Sequence, residues 1–201
     1  MPVLENICEM EDQKLVNLFK RNIVTTLFIT GSIFISGGFI NLAQLFIHLF
    51  VKPFSYSLFQ KLMYYLCWSW LAQWSFLISF WSNSDTILHC KPEDEKYFGK
   101  EHTFALINHT YEIDWLFSWA TLDSYSALGN GRTFLKKEML YFPIAGWFLK
   151  LSGNVFLERD FEKDKAVIEK QIKTLMDYND PSWVSKICNI IIITKANKKI
   201  H

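Results

Sequence analysis

Two long uncharged segments occupy the first half of the chain. Neither 22–51 nor 62–84 contains Asp, Glu, Lys or Arg, and a bilayer core of ~30 Å is crossed by about 20 apolar residues. The second segment holds four Trp and two Tyr, which are enriched at membrane interfaces. It either spans the membrane or lies in its surface. The alternative for both segments is a pair of buried core helices in a soluble protein.

This pattern predicts a membrane-embedded helical region over residues 22–84, preceded by a cytosolic N-terminal segment, 1–21. The first apolar segment begins after Lys20-Arg21 and lies too far from Met1, and is too long, for a signal peptide. It can cross the bilayer as one helix. It can also form a short helical pair within one leaflet, hinged near Ser36-Gly37-Gly38.

After Asp85 the pattern changes to short apolar segments that alternate with amphipathic ones. Strands are predicted at 103–107, 133–135 and 154–157, with a turn at 129–131. Helices are predicted at 111–122, at 136–140, where a helical stretch opens that Pro143 interrupts, and at 160–178, where Ala166, Ile168, Ile172 and Leu175 recur at helical spacing.

Strands that alternate with helices indicate an α/β domain with a largely parallel sheet. We place this domain at residues 85–184. Residues 185–201 form a divergent tail, in which the isoleucine run can add one more strand before a Lys/Asn-rich end.

The composition limits the classes of function that the chain can have. The net charge is +1, so bulk electrostatics give no reason to expect a nucleic-acid partner. The cysteines, Cys8, Cys67, Cys90 and Cys188, form no C-x-x-C pair and the histidines are scattered. A disulfide framework and a metal site are therefore not expected, and reduced thiols facing the cytosol are the default.

The strongest chemical signal is a histidine between a predicted strand and helix, followed by a carboxylate. His109 and Asp114 stand five residues apart in NHTYEIDW, a spacing that puts two residues on different faces of one helix. They meet only if His109 lies in the turn before the helix. Asp114 would then hold the imidazole through Nδ1 and leave Nε2 to deprotonate an alcohol. The alternative is a surface turn with a capping Asp.

Three ordered blocks strengthen the catalytic interpretation. They are NHTYEIDW (108–115), LKKEMLYFPIAGW (135–147) and NVFLERDFEKDK (154–165). In type and order they resemble the 1-acylglycerol-3-phosphate acyltransferase (lysophosphatidate acyltransferase) family, in its animal branch, over about residues 20–184. The resemblance implies N-terminal membrane helices followed by a glycerophospholipid-acyltransferase α/β domain. It also implies acyl-CoA as co-substrate without a cofactor, and a lysophospholipid as acceptor.

The resemblance assigns roles residue by residue. His109 would be the general base and Asp114 its orienting carboxylate. Asn108 and Glu112 belong to the same block, where Asn108 can simply brace the turn. Lys136, Lys137 and Arg159 would bind phosphate groups of acyl-CoA or of the acceptor. At least one of the two lysines can instead belong to a solvated helix face.

One block of the family is not present in the sequence. The family carries E-G-T-R shortly after the strand that follows Trp183-Val184, whereas this chain reads WVSKICNIIIITKANKKIH. We therefore expect an incomplete acyltransferase domain with little turnover. A truncated, non-catalytic membrane isoform, or an acyltransferase for another lysophospholipid, is the alternative.

The resemblance leads to a complete functional expectation. The protein would transfer an acyl chain from acyl-CoA to the free hydroxyl of lysophosphatidate and give phosphatidate, by direct transfer. It would work in the endoplasmic reticulum membrane, with its catalytic domain facing the cytosol and its substrates drawn from the lipid bilayer and from acyl-CoA. No G-x-S-x-G sequence is present, which disfavours a membrane hydrolase.

Overall fold

The computed structural model describes residues 16–82, 86–108, 113–158, 160–176, 183–188 and 193–194. The chain divides into two compact units, with the boundary between Ser36 and Gly37. The first unit is helical throughout its described part, apart from a single break at Asn22. The second unit contains the sheet and every other helix described below.

The first apolar segment forms one long helix. Helix α1 covers Ile23–Phe46 and continues as a π-helical turn over Ile47–Val51. In the described part of the chain it is the one helix long and apolar enough to cross a membrane. It passes through Gly37 and Gly38 without a break, so the chain does not reverse at the predicted hinge. It reverses before Ser55, whose hydroxyl caps the next helix by accepting from Leu58 N.

The second apolar segment is a helix with one face buried in the second unit. Helix α2 covers Tyr56–Phe76, followed by a π-helical turn over Leu77–Trp81. Its buried side chains recur every three or four residues, which is the spacing of one helix face: Phe59, Met63, Cys67, Trp70 and Leu71. This face packs as part of the core. One side of the segment therefore packs against protein.

The strands form one five-stranded sheet. They are β1 (Thr103–Asn108), β2 (Gly131–Lys136), β3 (Val155–Leu157), β4 (Trp183–Cys188) and β5 (Ile193–Thr194). Their order is β3-β2-β4-β1-β5. The first four are parallel to their neighbours, and the short β5 runs antiparallel to β1. The predicted α/β domain with a largely parallel sheet is confirmed.

Helices lie before and between these strands. Helix α3 (Pro92–Glu95) precedes β1, and α4 (Asp114–Ser124), α5 (Ala145–Leu151) and α6 (Phe161–Met176) follow β1, β2 and β3, with 3-10 turns at Leu128–Asn130 and Lys137–Tyr141. The stretch after Lys136 is thus a 3-10 turn rather than the start of an α-helix, and α-helix begins only after Pro143.

Strand β2 is longer than the sequence predicts because a charged residue lies inside it. Arg132 is buried, and its Nη1 donates to the carbonyl oxygens of Gly129 (3.0 Å) and Gly131 (2.7 Å). These bonds give Nη1 two backbone partners at the start of β2, since a buried charge requires hydrogen-bond partners. Arg132 therefore lies within a strand, although a charged residue between apolar ones ordinarily indicates a loop.

Candidate active site

The carboxyl ends of the parallel strands meet at one edge of the sheet. Thr103 of β1 and Gly131 of β2 both lie opposite Trp183 of β4, so the two strands start level with each other. Counted equally from there, Asn108 and Lys136 end at the same edge, on opposite sides of β4. In open α/β sheets, ligands bind outside the carboxyl ends of the strands. This edge is the candidate site.

The sheet divides at that edge. Strand β2 pairs with β4 over Gly131 to Thr133, and with β3 over Phe134 to Lys136. The last three residues of β2 therefore pair with β3, whereas β4 remains paired with β1 as far as Cys188. The pairing changes partner directly below the residues expected to bind substrate. Such a change leaves room for a ligand between the strand ends.

Helix α4 carries the predicted orienting carboxylate. Asp114 is its first residue and is half-buried, and a negative side chain at this position is favoured by the helix dipole. Two ring contacts hold the start of the helix: Trp115 packs on Trp74 of α2, with 6.1 Å between centroids, and on Trp119, at 4.6 Å. The position of Asp114 is thus fixed by packing against a core helix.

The ends of β2 and β3 are joined by an ion pair. Lys137 follows β2 and donates to the carboxylate of Glu158, which follows β3. The register explains the contact, because Lys136 lies opposite Leu157. The hydrogen bond raises the pKa of Lys137 and lowers the pKa of Glu158. Lys163 adds a second positive charge, with Nζ 3.7 Å from Glu158 Oε2 and 3.3 Å from Asp160 Oδ2.

A buried carboxylate braces the segment after β3. Asp164 of α6 is buried, and its Oδ1 accepts from the backbone N–H of Glu158 at 2.9 Å. Its own N–H donates to the carbonyl of Asp160, also at 2.9 Å. Charge-assisted bonds of this type are stronger than neutral ones. They hold the chain on both sides of position 159 at the edge of the sheet.

The structure brings some of the predicted site residues together. Asn108, Lys136 and Lys137 lie at the carboxyl edge, and Asp114 opens the helix that follows β1. Lys137 forms an ion pair with Glu158, so it is not the free cation that the resemblance implies. Lys136 is exposed. His109, Glu112 and Arg159 lie outside the described residues.

Sequence reasoning missed Glu158 and Asp164 as site residues. Both stand in the block NVFLERDFEKDK, but their roles depend on the β2–β3 register and on the start of α6, which are non-local. A weak signal was available, because an acidic residue in the first turn of a helix commonly caps it. Among the described residues, no group of three or more His, Cys, Asp or Glu is placed to hold a metal ion.

Comparisons with known proteins agree with this geometry. Residues 89–185, which hold β1 to β3 and the start of β4, match the family model described as Acyltransferase. The fold and the site together thus define an acyltransferase domain. The chain belongs to the acyltransferase family.

Three relatives illustrate the similarity. The chain is 31% identical over 173 residues to human 1-acyl-sn-glycerol-3-phosphate acyltransferase gamma, covering 86% of this chain and 46% of the relative. It is 33% identical over 157 residues to 1-acyl-sn-glycerol-3-phosphate acyltransferase 3 of Arabidopsis thaliana, covering 75% and 40%. For the gamma protein of Mus musculus the values are 29% over 186 residues, 92% and 49%.

The chain spans less than half the length of these curated relatives. No solved structure matches it significantly.

Proposed function

We propose that this protein transfers an acyl group from acyl-CoA to the free hydroxyl of lysophosphatidate and produces phosphatidate. The observation that carries the proposal is the carboxyl edge of the sheet. There the strand that precedes Lys137 pairs with the strand that precedes Arg159, and the strand that precedes His109 lies on the far side of β4. The relatives named for this reaction support the choice of acceptor.

The chemistry starts from His109, which follows β1 directly in sequence. Asp114, at the start of α4, orients the ring through Nδ1–H, and Nε2 takes the proton of the acceptor hydroxyl. The hydroxyl oxygen attacks the thioester carbonyl carbon, and the carbon–sulfur bond breaks as the tetrahedral intermediate collapses. The imidazolium returns its proton to the leaving CoA thiolate. The reaction needs no cofactor, and none is proposed.

Phosphate recognition falls to the neighbouring strand ends. In this proposal Lys136, the last residue of β2, and Lys137 bind phosphate together with Arg159, which follows β3 in sequence. Asn108 and Glu112 complete the block around the base. Glu158 already engages Lys137, so an incoming phosphate competes with a resident carboxylate. The site therefore selects for ligands with more than one negative charge.

We also propose the endoplasmic reticulum membrane as the location, with the catalytic domain facing the cytosol. The length and composition of α1 support membrane attachment. The acceptor is a lipid, so a membrane location brings the site to its substrate.

The test is an acyl-transfer assay in membranes from cells that express the protein. Radiolabelled acyl-CoA is supplied with a panel of acceptors: lysophosphatidate and the lyso forms of phosphatidylcholine, phosphatidylethanolamine and phosphatidylinositol. Saturable formation of phosphatidate above the level of control membranes, even at a low rate, supports the proposal. Turnover with another lysophospholipid and none with lysophosphatidate would contradict the acceptor.

A further inference from the structure

Three large aromatic side chains lie exposed within seven residues of one another. Tyr141 is 81% exposed, Phe142 57% and Trp147 65%; we call these three residues the aromatic patch. Scattered exposed apolar residues are normal in folded proteins, whereas a contiguous aromatic group usually marks an interaction surface. The patch surrounds the turn between the 3-10 segment Lys137–Tyr141 and helix α5.

Core packing does not explain the aromatic patch, because other side chains of the same segment are the ones that pack in the core. Phe148 is buried against Trp70, with 4.3 Å between ring centroids, and Leu149 is buried beside it. Trp147 and Lys150 lie on the other face of α5, where both are exposed. The segment thus has an inner face that packs in the core and an outer face that is aromatic and exposed.

The turn that presents the patch is strained and is held in place. Ile144 has φ 63° and ψ −56°, an uncommon conformation for a β-branched residue, and Ala145 N donates across it to Pro143 O at 2.6 Å. This is a classic γ-turn, which is rare and costs energy. Such strain persists only where the surrounding structure enforces it.

Helix α1 supplies that restraint. Asn41 is buried, and its Nδ2 donates to Ile144 O at 2.8 Å. The Ile144 side chain packs so closely on Gly37 that a Cβ at Gly37 would lie 2.9 Å from Ile144 Cγ2. The patch is therefore fixed to the part of α1 that belongs to the second unit.

In that part of α1, polar side chains face the protein and apolar side chains face outward, which is the opposite of the usual arrangement in a soluble helix. Asn41 and Gln44 are buried against the second unit, and Gln44 Nε2 donates to Ser152 Oγ at 3.0 Å. The outward side chains are exposed and apolar: Phe39, Leu42, Leu45, Phe46, Leu49 and Phe50. An outer face of this kind is stable in lipid rather than in water. The aromatic patch is attached to a helix whose natural medium is the bilayer.

The charges beside the patch favour an anionic partner. Lys136 and Lys150 are exposed close to it in the chain, as is Lys137, which is paired with Glu158. Lys and Arg near an anionic bilayer each add attraction to the surface. Trp and Tyr prefer the headgroup level of a membrane. We infer that Tyr141, Phe142 and Trp147 dock into the headgroup region of an anionic lipid bilayer. This contact holds the carboxyl edge of the sheet at the membrane surface, and the inference does not depend on the chemistry proposed for His109.

A site-specific fluorescent label tests the inference in the intact protein. Cys8 and Cys90 are replaced by Ser and Cys188 by Ala, which leaves only the buried Cys67, and Phe142→Cys is labelled with an environment-sensitive NBD group. The protein is reconstituted into vesicles of phosphatidylcholine, alone or mixed with an equal part of phosphatidylserine. Lys170→Cys on the exposed face of α6 serves as the matched control. Flotation of the vesicles confirms that every variant has inserted.

The expected result is a blue-shifted emission at position 142 that is quenched by lipids carrying a nitroxide near the headgroup, with no quenching at position 170. Adding Lys150→Gln should lower the ratio of quenched to unquenched label in the anionic vesicles about fivefold. The reason is that one basic residue near an anionic surface shifts the binding equilibrium by about that factor.

Two results would overturn the inference. One is a label at position 142 as water-exposed as the label at position 170 in both kinds of vesicle. The other is a label that is shielded from water but inaccessible to the lipid-borne quencher, which would show that protein and not lipid covers the patch.

Discussion

At the residue scale, the ion pair between Lys137 and Glu158 controls how available the lysine is to a phosphate. Both groups are partly exposed and joined by a hydrogen bond, and the pair links the loops after β2 and β3. The lysine was expected from the sequence as a phosphate ligand. Its partner was not, because the contact depends on the register in which Lys136 meets Leu157.

Glu158→Gln should lower the KM for acyl-CoA a few-fold, because it removes the carboxylate that competes with phosphate for Lys137. The pKa of Glu158 is lowered from its ordinary value of 4.5 and the pKa of Lys137 is raised from 10.5. The pair is therefore complete above the first value and below the second, and is lost only as the pH falls through the lowered pKa or rises through the raised one. The effect on KM should then stay constant across neutral pH and shrink with added salt.

Initial rates at varied acyl-CoA and varied pH measure this effect. The matched control is Glu169→Gln, an exposed position on α6, which should leave the KM unchanged. An unchanged KM in Glu158→Gln, or the same decrease in both variants, would show that the ion pair does not compete with substrate.

Asp164 stabilises the segment after β3, at the same edge of the sheet. Replacing it with Ala removes the charge-assisted bond to Glu158 N and should lower the free energy of unfolding by about 1.5–3 kcal/mol. Denaturant unfolding followed by tryptophan fluorescence measures the loss, with the exposed Glu169→Ala as the control. Equal stability of the two variants would mean that Asp164 braces nothing.

At the element scale, the sequence predicts more about the sheet than about the helices. Strands β1, β2 and β3 lie within one or two residues of their predicted bounds, since short apolar segments between polar ones define them. The burial of one face of α2 could not be predicted, because an all-apolar segment shows no periodicity that distinguishes a lipid-facing side from a core-facing side. The same reason hid the polar inner face of α1.

Two adjacent glycines of α1 should respond in opposite ways to the same substitution. A Cβ at Gly37 would lie 2.7 Å from Trp70 Nε1, and Trp70 is buried, whereas a Cβ at Gly38 would meet nothing within 4 Å. Gly37→Ala should destabilise the second unit by about 1–3 kcal/mol through overpacking. Gly38→Ala should stabilise the helix by about 0.5–1 kcal/mol.

Thermal unfolding of the two alanine variants, under identical detergent conditions, compares them directly. A lower Tm for Gly37→Ala together with an equal or higher Tm for Gly38→Ala is the expected outcome. If Gly37→Ala is as stable as the wild type, the close approach of α1, α2 and the Ile144 turn is not as described.

At the scale of the whole molecule, the proposed cytosolic orientation of the catalytic domain makes a chemical prediction. Asn108-His109-Thr110 is an acceptor sequence for N-glycosylation, but only in the lumen. We expect no glycan at Asn108 in cells. A glycosidase-sensitive mass shift that disappears in Asn108→Gln would reverse the orientation and, with it, the assignment of the site.

The central claim is that His109 and Asp114 carry out acyl transfer at the carboxyl edge of the sheet. The direct test is the rate of phosphatidate formation from acyl-CoA and lysophosphatidate by the wild type and by His109→Ala, Asp114→Asn and His89→Ala, at equal amounts of inserted protein. Loss of a general base should slow the reaction about 10²- to 10⁴-fold. Asp114→Asn should also slow it steeply, whereas His89→Ala, at an exposed position, should match the wild type. Wild-type rates in His109→Ala would contradict the account.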